Sequence, residues 1–313
     1  MAVMMTGPSL IDTEAELKRR MPSGAMHYGV AVDGSDMSKR AMAAGLLLNN
    51  TKRGDKISVL HISDSSKDYL QKHLTPQHLK NQYEALTSAA RVPSTWLCRE
   101  KGGGQSTCTA LTKMADKAAV DLLLIGSWGR KGEKLDFLGS VSDFSLRESH
   151  ASICILRSTG TKWTTSCKYL FATDGSHASA VAFCQLVTLL MKPADTVSVV
   201  IVTSGDGMNE LQIVQQYKEY MTAHMLPTAV VVRLVDLSKS SITNGILAAS
   251  VENCCDALVL GVGGCGRKKL GSVSEDICTR ANCTTIILKD SYEVMADHYK
   301  TAGARTLMHD IKA

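Results

Sequence analysis

The sequence predicts an α/β protein of two tandem doubly wound domains, each a mainly five-stranded parallel sheet with helices on both faces. Three observations predict it. The chain has 313 residues, too many for one small domain and ample for two. Five blocks of its first half recur in the same order in its second. Within each half, short apolar or β-branched runs alternate with helix-length patterns, as in a parallel sheet with right-handed crossovers.

The repeat sets the boundaries. "HYGVAVDGSD" from His27 pairs with "KYLFATDGSH" from Lys168, so that Asp33-Gly34-Ser35 falls on Asp174-Gly175-Ser176. "GDKISVLHIS" from Gly54 pairs with "ADTVSVVIVT" from Ala194, and "DLLLIG" ending at Gly126 with "DALVLG" ending at Gly261. "LGSVSD" from Leu138 pairs with "LGSVSE" from Leu270, and "SICIL" from Ser152 with "TTIIL" from Thr284. Expected units are an extension over 1–25, a domain over 26–157, a linker over 158–167, a domain over 168–289 and a helical tail over 290–313.

Along the first domain, "YGVAV" at 28–32 reads as a strand buried on both faces. Ser35 or Asp36 then caps a helical pattern over 35–51. "ISVLHI" at 57–62 is the second strand, followed by a helical pattern over 66–91. "STWLC" at 94–98, a helical pattern over 106–120, "DLLLIG" at 121–126, a helix opening near Ser140 and "SICIL" at 152–156 complete the unit.

Composition excludes several classes. The net charge is +5, with Lys and Arg scattered and no aromatic residues interleaved among them, so nucleic-acid binding is not expected. Ten cysteines contain no C-x-x-C pair; Cys154, Cys184 and Cys255 lie in apolar runs and read as reduced core thiols of an intracellular protein. The first 20 residues lack the sustained apolar region of a secretory signal. No run approaches the roughly 18 apolar residues of a membrane span. A cytoplasmic protein without membrane attachment is expected.

In doubly wound sheets ligands sit beyond the carboxyl ends of the strands, where the winding direction switches. Asp33, at the end of a buried strand, has to find donors there, and an adenine amino group or a ribose hydroxyl would serve. His61 reads as a partly buried strand histidine, and His73 and His78 as solvated side chains. After the fourth strand, Gly126 and Gly129 permit close backbone approach, and Arg130, Lys131 and Lys134 follow before Gly139-Ser140-Val141-Ser142 opens a helix. Free N–H groups at such a start favour an anion. A flexible turn with a serine cap is the plainer alternative.

The run "IGSWGRKGEKLDFLGSVSD" resembles the signature of the universal stress protein family, whose nucleotide-binding members carry G-x2-G-x9-G-[ST]. Gly126, Gly129, Gly139 and Ser140 fit that spacing, with "VAVDGSDMS", "LLLIG" and "ASICILR" resembling the family's first, fourth and fifth strands. The resemblance implies an adenine-nucleotide alpha-hydrolase-like fold that binds ATP with Mg2+. Asp33 and the backbone at Ile62 would hold the adenine end, Gly126 and Gly129 the ribose, and Gly139, Ser140 and Val141 the phosphates. It further implies that the two domains associate through their last strands as an internal pseudo-dimer.

The second copy departs from the pattern. Asp174, Val202, Gly261, Gly264, Gly271 and Ser272 would form its weaker site, but six residues separate Gly264 from Gly271 where nine separate Gly129 from Gly139. Three missing residues remove up to about 10 Å of extended chain. Either Arg267, Lys268 and Lys269 supply charge along another path, or this half keeps the fold for pairing. No nucleophile with a positioned base is legible in either copy, so a bound ATP would turn over slowly if at all. The leading expectation is a non-catalytic, ATP-binding stress or signalling module. Its rivals are a docking module with nucleotide incidental, its partner held by the terminal extensions, and a slow hydrolase or adenylate-forming enzyme.

Overall fold

The computed structural model describes residues 9–65, 71–130, 132, 137–157, 166–204, 210–236, 238–263 and 270–290. Helix α1 (Leu10–Arg20) precedes β1 (His27–Ala31), α2 (Asp36–Leu48), β2 (Lys56–Ser63), α3 (Pro76–Ala89), β3 (Ser94–Glu100), α4 (Thr107–Lys117), β4 (Leu122–Gly126), α5 (Ser140–Glu148) and β5 (Ser152–Leu156). The second half runs β6 (Lys168–Thr173), α6 (His177–Gln185), β7 (Thr196–Thr203), α7 (Glu210–Ala223), β8 (Ala229–Leu234), α8 (Ile242–Glu252), β9 (Ala257–Val262), α9 (Ser272–Arg280) and β10 (Thr284–Lys289).

All ten strands form one sheet, in the order β3-β2-β1-β4-β5-β10-β9-β6-β7-β8. Each half contributes five parallel strands, and the halves meet where β5 runs antiparallel to β10, with Ile286 opposite Cys154. One continuous core lies on the α1, α2, α3, α6 and α7 face, and a second on the α4, α5, α8 and α9 face. The β1–β4 and β6–β9 contacts are the switch points of the two halves.

Both halves anchor the base of the sheet with the same device. Asp55 accepts from the Met26 N–H at 2.9 Å and Asp121 from the His27 N–H at 2.7 Å. Asp195 and Asp256 repeat this with the N–H groups of Cys167 at 2.7 Å and Lys168 at 2.8 Å. Each buried carboxylate thus gains donors that the first residues of a strand would otherwise leave unpaired.

Two elements differ from expectation. The second helix begins at Pro76, well after residue 66. Proline lacks an N–H and disfavours helical backbone at Thr75, so it starts the helix and cannot sit inside it. The extension forms α1, capped by Ser9, and packs on α6 and α7 of the second half. The extension, which the expectation had offered to a protein partner, thus packs within the chain. The tail from 291 onward, Lys131, Lys134 and residues 264–269 lie outside the described residues.

The seam carries a reciprocal exchange of cations. The Lys289 ammonium, 1% exposed, donates to the carbonyls of Leu146 at 3.1 Å and Ser149 at 2.7 Å, at the end of α5. Arg157 donates to the carbonyls of Cys278 and Thr279, at the end of α9. Each half thus places a positive charge at the negative end of the other's helix. Lys289→Ala leaves carbonyls buried without this donor, and the expected loss is about 2–4 kcal/mol. Urea unfolding of the full chain measures it, with Lys239→Ala, whose side chain is 82% exposed, leaving the midpoint unchanged.

Candidate functional site

Beyond the carboxyl ends of β1, β2 and β4 lies a cleft of about 1160 Å3. Asp33, Ile62, Gly126, Gly129, Gly139, Ser140 and Val141 all line it. The fold thus brings together residues at or just after the ends of three strands and at one helix start. Trp128, Phe137, Leu74 and Cys108 line it as well, and sequence reasoning did not single them out. Leu74 and Cys108 lie there because the segment before α3 and the first turn of α4 return to the same rim.

Asp33 is fixed as an acceptor. Its Oδ1 takes the Ser35 N–H at 3.0 Å and its Oδ2 the Arg130 N–H at 3.2 Å, with the Arg130 Nε 3.9 Å away. Ser35 caps α2 by accepting from the Ser38 N–H, so the capping reading of Ser35 holds. Two glycines make the close approach possible. An added Cβ at Gly129 would sit 2.7 Å from Asp33 Oδ2, and one at Gly126 would sit 2.5 Å from Met37 Cβ. Neither space admits a side chain without displacing a neighbour.

The start of α5 is held against the end of β4. The Gly139 N–H donates to the Ser127 carbonyl at 2.8 Å, the Ser142 hydroxyl to the Gly126 carbonyl at 2.6 Å, and Leu138 is buried below. No side chain caps this helix, because its N-cap is Gly139. The first-turn N–H groups, with the positive end of the helix, are thus offered at the cleft. An anion held there and a donor group facing Asp33 are what the lining can accommodate.

His61 is a polar group whose environment the sequence did not reveal. It is buried, its Nδ1 lies 2.8 Å from the Val32 carbonyl oxygen, and its ring stacks on Trp96. His73 and His78 are exposed, as expected.

The second half builds only part of this. Asp174 Oδ1 accepts from the Ser176 N–H at 2.9 Å, repeating the first turn. Gly261 is pressed against α6, an added Cβ falling 2.5 Å from the Ala178 carbonyl oxygen. Val202 is buried under α8, where an added Cβ at Gly245 would lie 2.6 Å from Val202 Cγ1. Ile62, its counterpart, lines the cleft. Gly271 and Ser272 start α9 as Gly139 and Ser140 start α5, but an added Cβ at Gly271 meets none of the described residues within 4 Å. Gly264 lies outside the described residues.

Fold and cleft together define a doubly wound α/β protein with a site at the switch point of its first half. Residues 26–157 match the Universal stress protein family. The fold of the whole chain is similar to that of a universal stress protein from Archaeoglobus fulgidus, with 20% identity over 84% of this chain and 96% of that chain and a TM-score of 0.60. It is also similar to a functionally unknown protein from Pseudomonas aeruginosa, with 12% identity over 90% of this chain and 99% of that chain and a TM-score of 0.62. No curated protein matches the chain. Among the described residues no helix is long and apolar enough to cross a membrane.

Burial lowers the pKa of His61 from its ordinary 6.5, and burial does the same to His27. As pH falls through about 6.5 the unfolded chain takes up protons that the folded chain does not, so stability decreases on acidification. Thermal melts are expected to show a midpoint falling below that pH, with a shallower fall in His61→Ile.

Proposed function

We propose that the chain is an ATP-binding, non-catalytic tandem universal stress protein. Residues 26–157 form its nucleotide-binding unit, and 168–289 form a degenerate unit retained for pairing. The observation that carries this reading is the single cleft on which Asp33, Ile62, Gly126, Gly129, Gly139, Ser140 and Val141 converge. In it Asp33 and the Ile62 backbone meet the adenine end, Gly126 and Gly129 let the ribose approach, and the uncapped start of α5 receives the phosphates. Bare backbone suits this at Gly129, where a Cβ would crowd the Asp33 carboxylate, while at Gly126 it lets β4 pack closely on Met37 of α2.

Among the described residues no group of three or more His, Cys, Asp or Glu converges. A Mg2+ ion would therefore be carried chiefly by the phosphates and water, as is usual for this cation with nucleotides. Binding sets conformation or partner choice, and hydrolysis is slow at most.

Calorimetric titration of ATP-Mg into the full-length chain tests the reading, alongside Gly139→Asp and Gly271→Asp, each placing a carboxylate at a helix start. One equivalent is expected to bind to wild type and to Gly271→Asp. Gly139→Asp is expected to lose at least tenfold in affinity, since like charge meets phosphate in a partly desolvated site. Absence of binding by folded, nucleotide-free wild type would instead favour a docking module.

A further inference from the structure

β2 reaches the cleft with His61, where the corresponding strand β7 carries Ile201. The imidazole is 5% exposed and is held from two directions. The Val32 carbonyl oxygen, 2.8 Å from Nδ1, can only accept, so Nδ1 carries the proton. The Trp96 ring stacks on the imidazole with centroids 5.7 Å apart and planes at 23°. Val32 is itself tied down, its N–H donating to the Leu60 carbonyl at 2.9 Å. Nε2 is therefore a fixed lone pair, and no described residue donates to it. His61 lines the cleft, so this acceptor is satisfied there by water or by whatever donor the occupant brings.

We propose that His61 is a specificity residue of this cleft, its Nε2 accepting a hydrogen bond from an amino group of the bound ligand. The inference rests on the reading of the cleft as an adenine-nucleotide site. Within that reading the donor is the exocyclic amine of the base. A purine lacking the amine forfeits the bond, and a 6-oxo purine sets lone pair against lone pair. Burial keeps the ring neutral, and the Arg130 charge acts in the same direction, while the Val32 carbonyl, Asp33 and Glu100 oppose it. The acceptor thus persists near neutral pH. Ile201 offers no such acceptor in the second half.

The test compares ATP with purine riboside 5′-triphosphate, which differs only by the missing amine, in calorimetric titrations of the full chain. Wild type is expected to prefer ATP roughly tenfold, the worth of one good buried hydrogen bond. In His61→Ile, which copies the residue of β7, that ratio is expected to fall to near one. Equal affinities in wild type overturn the proposal without recourse to any variant. A tenfold ratio that persists in His61→Ile assigns the amine to another acceptor and also overturns it. Failure of both nucleotides to bind wild type removes the cleft reading itself, a result distinct from either.

Discussion

The antiparallel pairing of β5 with β10 is the constraint on which the rest of the molecule depends. Both strands are buried along their whole lengths. A five-stranded half standing alone would present one of them as an open apolar edge, which invites uncontrolled pairing. Joining the halves closes both edges at once. The seam then has to satisfy the carbonyls at the ends of α5 and α9, and Lys289 and Arg157 do so from opposite sides. Arg147 adds a link from α5 to Glu275 on α9. Because α5 also forms one wall of the cleft, the pairing that closes the sheet also fixes the helix start at which an anion would sit.

The N-terminal helix ties the halves together a second time. It precedes the first half in sequence yet buries Leu10, Thr13, Glu14 and Leu17 against the second. Glu14 goes into that interface charged, and Lys18 from α1 and His224, just after α7, both approach it, at 2.5 Å and 2.7 Å. The Cys184 thiol of α6 donates to the Leu10 carbonyl. Chain that belongs to neither repeat thus completes the core of the far one.

Much of this was legible in the sequence, and the reason is periodicity. Strands buried on both faces are written as apolar runs such as "DLLLIG", and a strand end followed by glycine marks where a ligand can approach. Each of the seven first-half residues stands at the end of such a run, in the loop that follows it or at a helix start, so their convergence followed from the winding. The fit of α1 to α6 and α7 was not legible, because amphipathic spacing tells that a face is buried and not against what. Trp128 and Phe137 escaped notice for a related reason. An aromatic residue beside a glycine loop reads equally as core or rim until the loop's path is known. The Nδ1 contact of His61 depends on a carbonyl 29 residues away, at the end of a neighbouring strand.

The two halves keep different parts of the same plan, and the seam explains which. "LGSVS" occurs in both, with Leu138 and Leu270 each 5% exposed and a glycine N-cap following each. In the first half that segment serves two demands, since it opens the cleft and launches α5 toward the seam. In the second half the seam alone requires it. α9 has to begin there for Glu275 to meet Arg147 and for its final carbonyls to meet Arg157. Sequence identity at Gly271 and Ser272 is therefore no argument for phosphate in the second half. Some positions lining the first cleft differ: His61 is replaced by Ile201, Trp128 by Gly263, and the linking loop is three residues shorter. Packing at the seam holds the "LGSVS" segment in both halves, whereas His61 and Trp128, which line the cleft, carry no such seam demand and differ between the halves.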